Sequence, residues 1–345
     1  VSVELTEICE LIVDCEHKTA PTQATGYPSI RTPNIGRGYF ILEGVNRVSE
    51  ETYRLWTRRA VPQSGDLIMA REAPVGNVAM VPQGLQPCLG QRTLLIRPDR
   101  SKVEPAFLNY LLNGPHIQGL LHSKASGATV AHLNMKDVRS LHLPELPPLP
   151  AQRRIADTLS AYDELIENSQ RRITILEAMA RALYREWFIW APDAGNWPRR
   201  TLGDFLTLKR GYDLPDRLRR PGQVPVVSSS GVTGQHDESR AVGPGLVTGR
   251  YGTLGDVHLI WEDYWPLNTS LYVVDLRGTP FFYAYWLLRD VLREQSGSAA
   301  AVPGLNRNHL HQITVPAPPR GHPDSIPLLG RTHGHACQSI AAPNR

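Results

Sequence analysis

The chain repeats itself, and no other feature narrows its fold as much. Leu67-Ile68-Met69-Ala70-Arg71 with Gly76-Asn77-Val78 returns, at the same internal spacing, as Leu246-Val247-Thr248-Gly249-Arg250 with Gly255-Asp256-Val257. Gln91-Arg92-Thr93-Leu94-Leu95-Ile96 matches Asn268-Thr269-Ser270-Leu271-Tyr272-Val273, and Tyr110-Leu111-Leu112 matches Trp286-Leu287-Leu288. Ser126-Gly127, Leu133-Asn134 and Leu143-Pro144 recur as Ser296-Gly297, Leu305-Asn306 and Val315-Pro316. The entries agree weakly, Leu5-Thr6-Glu7-Ile8 with Leu202-Gly203-Asp204-Phe205. The order is kept while the spacing drifts, as in two divergent copies of one domain. The copies occupy residues 1–147 and 196–319.

Each copy reads as mixed α/β, of the α+β kind. Short apolar or β-branched runs at Asp66–Ala70, Asn77–Val81 and Leu94–Arg97 alternate with Gly and Pro turns, as strands do. Around Phe107–Leu121, and again around Phe281–Arg293, the pattern becomes helical.

Between the copies, Pro144–Pro150 is a proline-rich breaker, and Ala151–Phe188 contains neither Gly nor Pro. Ile155, Leu159, Tyr162, Ile166, Ser169, Ile173, Leu176, Ala180, Leu183 and Trp187 follow steps of four and three without a slip. That is the seam of a coiled coil, the narrow stripe that one helix presents to another. A helix over 148–190 is therefore expected, roughly 38 residues and about 57 Å of it uninterrupted. It acts as a spacer between similar domains, and its seam needs a partner.

Several kinds of chemistry have no motif here. Four cysteines at Cys9, Cys15, Cys88 and Cys337 have neither disulfide nor zinc-knuckle spacing. There is no GxxxxGK[ST] loop, and Gly249, Gly252 and Gly255 do not form GxGxxG between a strand and a helix. Asp14 with Glu16-His17-Lys18 superficially resembles a metal-nuclease tail but reads as a loop. His309 and His311 in a strand or loop, and His333, His335 and Cys337 in the tail, read as incidental rather than metal-binding. No apolar run approaches the ~20 residues of a membrane span, and the N-terminus lacks a signal peptide. A cytoplasmic, reduced protein is the expectation, its Val1 start reflecting start-codon translation or trimming.

What remains is a binding protein with two heads. With 37 Lys and Arg against 33 Asp and Glu, the formal charge of +4 permits a polyanionic partner. Candidate DNA contacts are polar and basic residues beside Gly or Ser in loops. In the first copy these are Arg31, Thr32, Arg71, Gln91, Arg92, Thr93 and Lys124. In the second they are Ser228, Ser229, Ser230, Arg250, Asn268 and Thr269. Arginine suits guanine edges and phosphate, and Asn and Gln suit adenine.

Pro147-Pro148-Leu149-Pro150-Ala151-Gln152-Arg153-Arg154-Ile155-Ala156 resembles the entry into the first conserved helix of type I restriction-modification specificity subunits. Leu176-Glu177-Ala178-Met179-Ala180-Arg181-Ala182-Leu183-Tyr184 through Trp187-Phe188 resembles the exit from it. The Ser-Gly, Leu-Asn and Pro closing motif resembles the end of that family's target-recognition domains. The resemblance implies two such domains, each reading half of a bipartite, asymmetric double-stranded DNA site. It implies a helix that spaces them and docks two methyltransferase subunits, with the seam of Ile155, Leu159, Tyr162, Ile166, Ile173, Leu176, Ala180, Leu183 and Trp187 as the coiled-coil or subunit interface, its partner a helix from a second chain or the methyltransferase.

It further implies no catalysis and no cofactor or metal in this chain. S-adenosylmethionine, ATP and Mg would belong to partner subunits, among them a restriction-translocase subunit. The chain departs from the family at 320–345. An irregular tail (Gly321-His322-Pro323-Asp324 into Arg331-Thr332-His333-Gly334-His335) stands there in place of a second helix. A protein-interaction scaffold, or an inactive remnant of a specificity subunit, is the alternative.

Overall fold

The structure is a computed structural model and describes residues 2–127, 131–251, 255–297 and 304–319. It divides into two compact units, Val1–Gln170 and Arg171–Arg345.

In the first unit, four strands pair in the order Cys9–Asp14, Thr93–Pro98, Leu67–Ala70, Val78–Met80, every pair antiparallel. Leu67–Ala70 is buried throughout. Because successive strand residues point to opposite faces, Leu67 and Met69 join one apolar cluster while Ile68 and Ala70 join another. A sheet covered on both sides explains why this strand reads as an unbroken apolar run rather than an alternation. In a smaller sheet, Tyr27–Ile30 lies between Arg47–Val48, antiparallel, and Cys88–Leu89, parallel. Val3–Glu4 pairs with His142–Leu143 and closes the unit.

The second unit repeats this plan strand for strand. Its four-stranded sheet runs Thr207–Arg210, Ser270–Asp275, Gly245–Gly249, Val257–Ile260, again all antiparallel. Val224–Ser228 lies between Gly231–His236, antiparallel, and Trp265–Pro266, parallel. Arg199–Thr201 pairs with Thr314–Pro316. The irregularities recur as well: both outer strands shift register near their start, at Cys9/Leu11 and at Thr207/Leu208. Both central hairpins turn on a glycine with positive φ, Gly76 and Gly255, where an L side chain would be strained.

The helical run read around Phe107–Leu121 is two helices, Pro105–Asn113 and Pro115–Lys124. Gly114 between them is extended, with φ −67° and ψ 149°. Pro115 disfavours the helical conformation in the residue before it and supplies no N–H to continue the ladder. The second copy has no proline there and forms one helix, Phe281–Gly297. His309 and His311 lie on a helix, Arg307–Gln312, and not on a strand or loop, because the Asn306 side chain caps its N-terminus.

The long helix spans Leu149–Tyr184 and ends in a π turn, Arg185–Ile189. Its first turns are anchored in the first unit. Buried Gln152 accepts from the Glu104 N–H at 2.9 Å and donates to the Pro147 carbonyl at 2.8 Å, and Ala156 packs into the core. Its last turn belongs to the second unit, where Tyr184 and Phe188 pack against Tyr283. From 161 to 180 every residue is exposed. Ile155, Leu159, Tyr162, Ile166, Ile173, Leu176, Ala180 and Leu183 all lie on the open surface, with Tyr162 62% exposed and Leu176 60%. Leu165, Ile175 and Met179 widen the stripe. Trp187 departs from this group, since it is half-buried against the core of its own unit.

Residues 320–345, read as an irregular tail, lie outside the described residues, as do His333, His335 and Cys337. Among the described residues no helix is long and apolar enough to cross a membrane.

Candidate nucleic-acid interface

The rim at which the strands of each four-stranded sheet end is built from the repeated motifs. In the first unit the Cys15 N–H donates to the Thr93 carbonyl, the Arg71 N–H to the Arg92 carbonyl and the Leu133 N–H to the Arg71 carbonyl. In the second, Gly211 donates to Ser270, Arg250 to Thr269 and Leu305 to Arg250. The Thr93 hydroxyl donates to the Gly90 carbonyl at 2.8 Å, and the Ser270 hydroxyl to the Leu267 carbonyl at 2.8 Å. Gly211 is required by close approach, because a Cβ there would stand 2.1 Å from the Leu267 carbonyl oxygen.

This register equates Arg71 with Arg250, Gln91 with Asn268 and Arg92 with Thr269. Gly90 and Leu267 donate to the Ile30 and Val227 carbonyls, which equates Arg31 with Ser228. Eight of the residues singled out from sequence therefore fall in four equivalent pairs on one rim of each unit. Ser229 and Ser230 continue that rim in a hairpin, where the Ser228 and Ser230 hydroxyls are 3.0 Å apart. Lys124 stands apart at the end of its helix, exposed.

Three of these residues are interior. Thr93 is fully buried and Thr32 nearly so, and Arg71 is 6% exposed. The Arg71 guanidinium is consumed by the domain. Nη1 meets Asp14 at 2.7 Å, Nε donates to the Leu133 carbonyl at 2.8 Å, and Nη2 lies 2.7 Å from His132 Nε2. His132 Nδ1 is 2.8 Å from Glu72, which also pairs with Arg92. Arg71 and Thr93, expected from sequence as DNA contacts, are buried in the scaffold: a guanidinium so committed cannot turn outward without leaving Asp14 uncompensated, and the Thr93 hydroxyl is spent on Gly90. Arg31, Arg92, Lys124, Ser230 and Thr269 are exposed, while Gln91, Ser228, Ser229, Arg250 and Asn268 are half-buried.

Asp14, Cys15 and His17 bring their donor atoms within 4.8 Å of one another. The set suits a cation poorly, since Arg71 already neutralises the Asp14 carboxylate and burial raises the Cys15 thiol above its ordinary value. Cys9 and Cys88 are each pushed up to about 12, chiefly by burial.

Sequence reasoning missed Asp14, Glu72 and His132 as members of this network, and Lys209, Arg210 and Arg240 as rim cations. Internal similarity highlights what the copies share, whereas these residues are where the copies differ.

Residues 1–178 match the family described as type I restriction modification DNA specificity domain. The Type I restriction enzyme MjaIX specificity subunit of Methanocaldococcus jannaschii is 26% identical over 194 residues, 52% of this chain and 44% of that protein. A putative type I restriction enzyme MjaX specificity subunit of the same organism is 35% identical over 102 residues, 30% of this chain and 23% of that one. The alignments span less than half the length of these relatives. Among solved structures, the S subunit of a type I restriction-modification system from M. genitalium superposes with a TM-score of 0.65 at 18% identity. That superposition covers 92% of this chain and 84% of the other, a likeness of fold. Because the family match runs through the whole first repeat and far into the long helix, over more than half of the residues, this chain belongs to the type I restriction-modification DNA specificity family.

Proposed function

We propose that this chain is the sequence-reading subunit of a type I restriction-modification complex. Each repeat reads one half of a bipartite double-stranded DNA site, and the helix sets the spacing and docks the methyltransferase subunits. The observation that carries this reading is the duplicated rim, equivalent in backbone and different in side chains, on a chain of the specificity family. Two reading heads with unlike surfaces imply unlike half-sites, since bases are read by side-chain donors and acceptors.

The chain itself catalyses nothing in this proposal. Its clustered titratable groups neutralise one another, and S-adenosylmethionine, ATP and Mg are held by the methyltransferase and restriction-translocase partners. The exposed apolar stripe from Leu159 to Leu183 supports a protein partner along the helix.

The test is methylation mapping of a host genome in which this chain is expressed with the methyltransferase subunit of its system. A gapped, asymmetric adenine motif absent from controls is expected. A genome without such a motif, given soluble chain and methyltransferase, would favour the inactive-remnant reading.

A further inference from the structure

The register that equates the two domains also reveals a reversal of charge. Asp14 precedes Cys15 and Arg210 precedes Gly211, so these two residues hold the same place at the end of the outer strand. Arg71 and Arg250 hold the same place on the neighbouring rim. In the first domain this corner is neutralised from within, Asp14 on Arg71 and Glu72 on Arg92. In the second, Arg210 stands where Asp14 stands, Tyr251 where Glu72 stands, and Thr269 where Arg92 stands. Arg210 Nε rests on the Asn268 carbonyl at 3.3 Å, and the Arg250 guanidinium lies 4.7 Å from the Tyr251 ring centre.

Two more cations lie against Tyr212, which follows Gly211. Lys209 reaches the Tyr212 hydroxyl at 3.1 Å, and Arg240 lies over the Tyr212 and Trp265 rings at 5.9 and 5.0 Å. Among the described residues none of the four forms an ion pair with a carboxylate, whereas Arg71 and Arg92, in the matching corner of the first domain, both do. Asp213, on the same turn, is engaged by the Asn268 amide at 2.7 Å. Lys209, Arg210 and Arg240 are exposed. The two repeats carry nearly the same net charge, so the difference lies in placement. Exposed cations without an ion-pair partner, set against one carboxylate on the same turn, leave a local excess of positive charge that favours an anion. Aromatic faces under long cationic side chains hold them ready, which lowers the entropy lost on binding.

We propose that Lys209, Arg210, Arg240 and Arg250 form a phosphate-gripping surface for duplex DNA. The second domain then carries the larger part of the salt-sensitive DNA affinity, while the matching corner of the first domain, neutralised from within, adds little. This rests on the DNA-reading function proposed above. Each phosphate neutralised releases condensed counterions, so each contact adds about one to the slope of log affinity against log salt.

The experiment measures binding of the full chain to a mixed-sequence duplex across a salt series. Changing all four residues to alanine is expected to reduce the slope by about three to four. The single change Arg210→Asp restores the acid of the first domain beside Arg250, and is expected to reduce it by about two. An unchanged slope in either variant, with melting temperature retained, overturns the assignment while leaving the DNA-reading function intact. A wild-type chain that shows no salt-dependent DNA binding overturns both.

Discussion

Arg71 and Asp14 lie 57 residues apart in sequence and 2.7 Å apart in the fold. With both side chains largely out of water, removing one charge strands the other in the interior. Asp14→Asn is expected to destabilise the first domain by about 3–5 kcal/mol, and adding Arg71→Met should recover part of that loss. Urea midpoints of the single and double variants measure this, and a loss for Asp14→Asn below about 1 kcal/mol would mean the pair is effectively solvated.

His311 carries a second residue-scale expectation. Its Nε2 accepts the Leu208 N–H at 2.8 Å, which requires the neutral ring. Burial first, then Arg307 and Arg277, hold its pKa below the ordinary histidine value. An unfolded chain would take up a proton near pH ~6.5, so just below that pH the unfolded state binds more protons than the folded one. Stability of the second domain therefore falls as pH drops from about 7 to about 5. His311→Gln should flatten that part of the profile, and a melting curve whose pH dependence is the same with and without His311 would rule the histidine out as its source.

Neither partnership was legible in the sequence. Ion pairs and caps between distant segments carry no periodicity, and a repeat search selects for scaffold. Arg71 and Thr93 read as DNA contacts because they are polar residues in loop surroundings, and neither residue type nor loop surroundings reveals that both are buried.

At the scale of elements, patterning was a better guide. Leu67–Ala70 and Thr93–Pro98 are short, largely apolar runs between turn residues, and the strands formed there. The long helix was legible from the missing Gly and Pro and from the four–three spacing. Its ends were not, because Gln152 and Tyr184 are bound by tertiary contacts that no seam encodes. The small three-stranded sheets were illegible too, their strands running to as few as two residues. The exposed stripe yields a direct expectation. Leu159→Asp with Leu176→Asp should abolish co-purification with the methyltransferase while circular dichroism and melting stay near wild type. Undiminished co-purification would remove the stripe from the docking surface. By contrast Gln152→Leu, which strands the Glu104 N–H, should lower stability by about 1–3 kcal/mol, seen as a drop in melting temperature.

For the whole molecule, the informative fact is that one topology occurs twice with unlike rims. Asn268 is bonded through its side chain to Asp213, whereas its counterpart Gln91 reaches back to the His17 carbonyl. Substitutions confined to the rim of one domain should alter one half of a methylated motif and leave the other half untouched. Mapping motifs for Asn268→Ala and Gln91→Ala side by side would check this, and a change spread over both halves by either variant would contradict independent heads. The duplication was legible because ordered short matches survive divergence, and the charge reversal at Asp14 and Arg210 was not, since it appears only once the register aligns them.

The main-chain hydrogen bonds of the rim recur in both domains, and the hydroxyl of Thr93, and of Ser270 in its place, adds a bond to a main-chain carbonyl. The main-chain bonds among these are indifferent to the side chains displayed above them. A lineage can therefore rewrite the displayed residues, or inherit a foreign head whole, without relearning how to fold. What holds the rim is also what makes it evolvable: the repeated main-chain bonds lie in one set of atoms and most of the displayed surface in another, so selection can move the second while leaving the first alone.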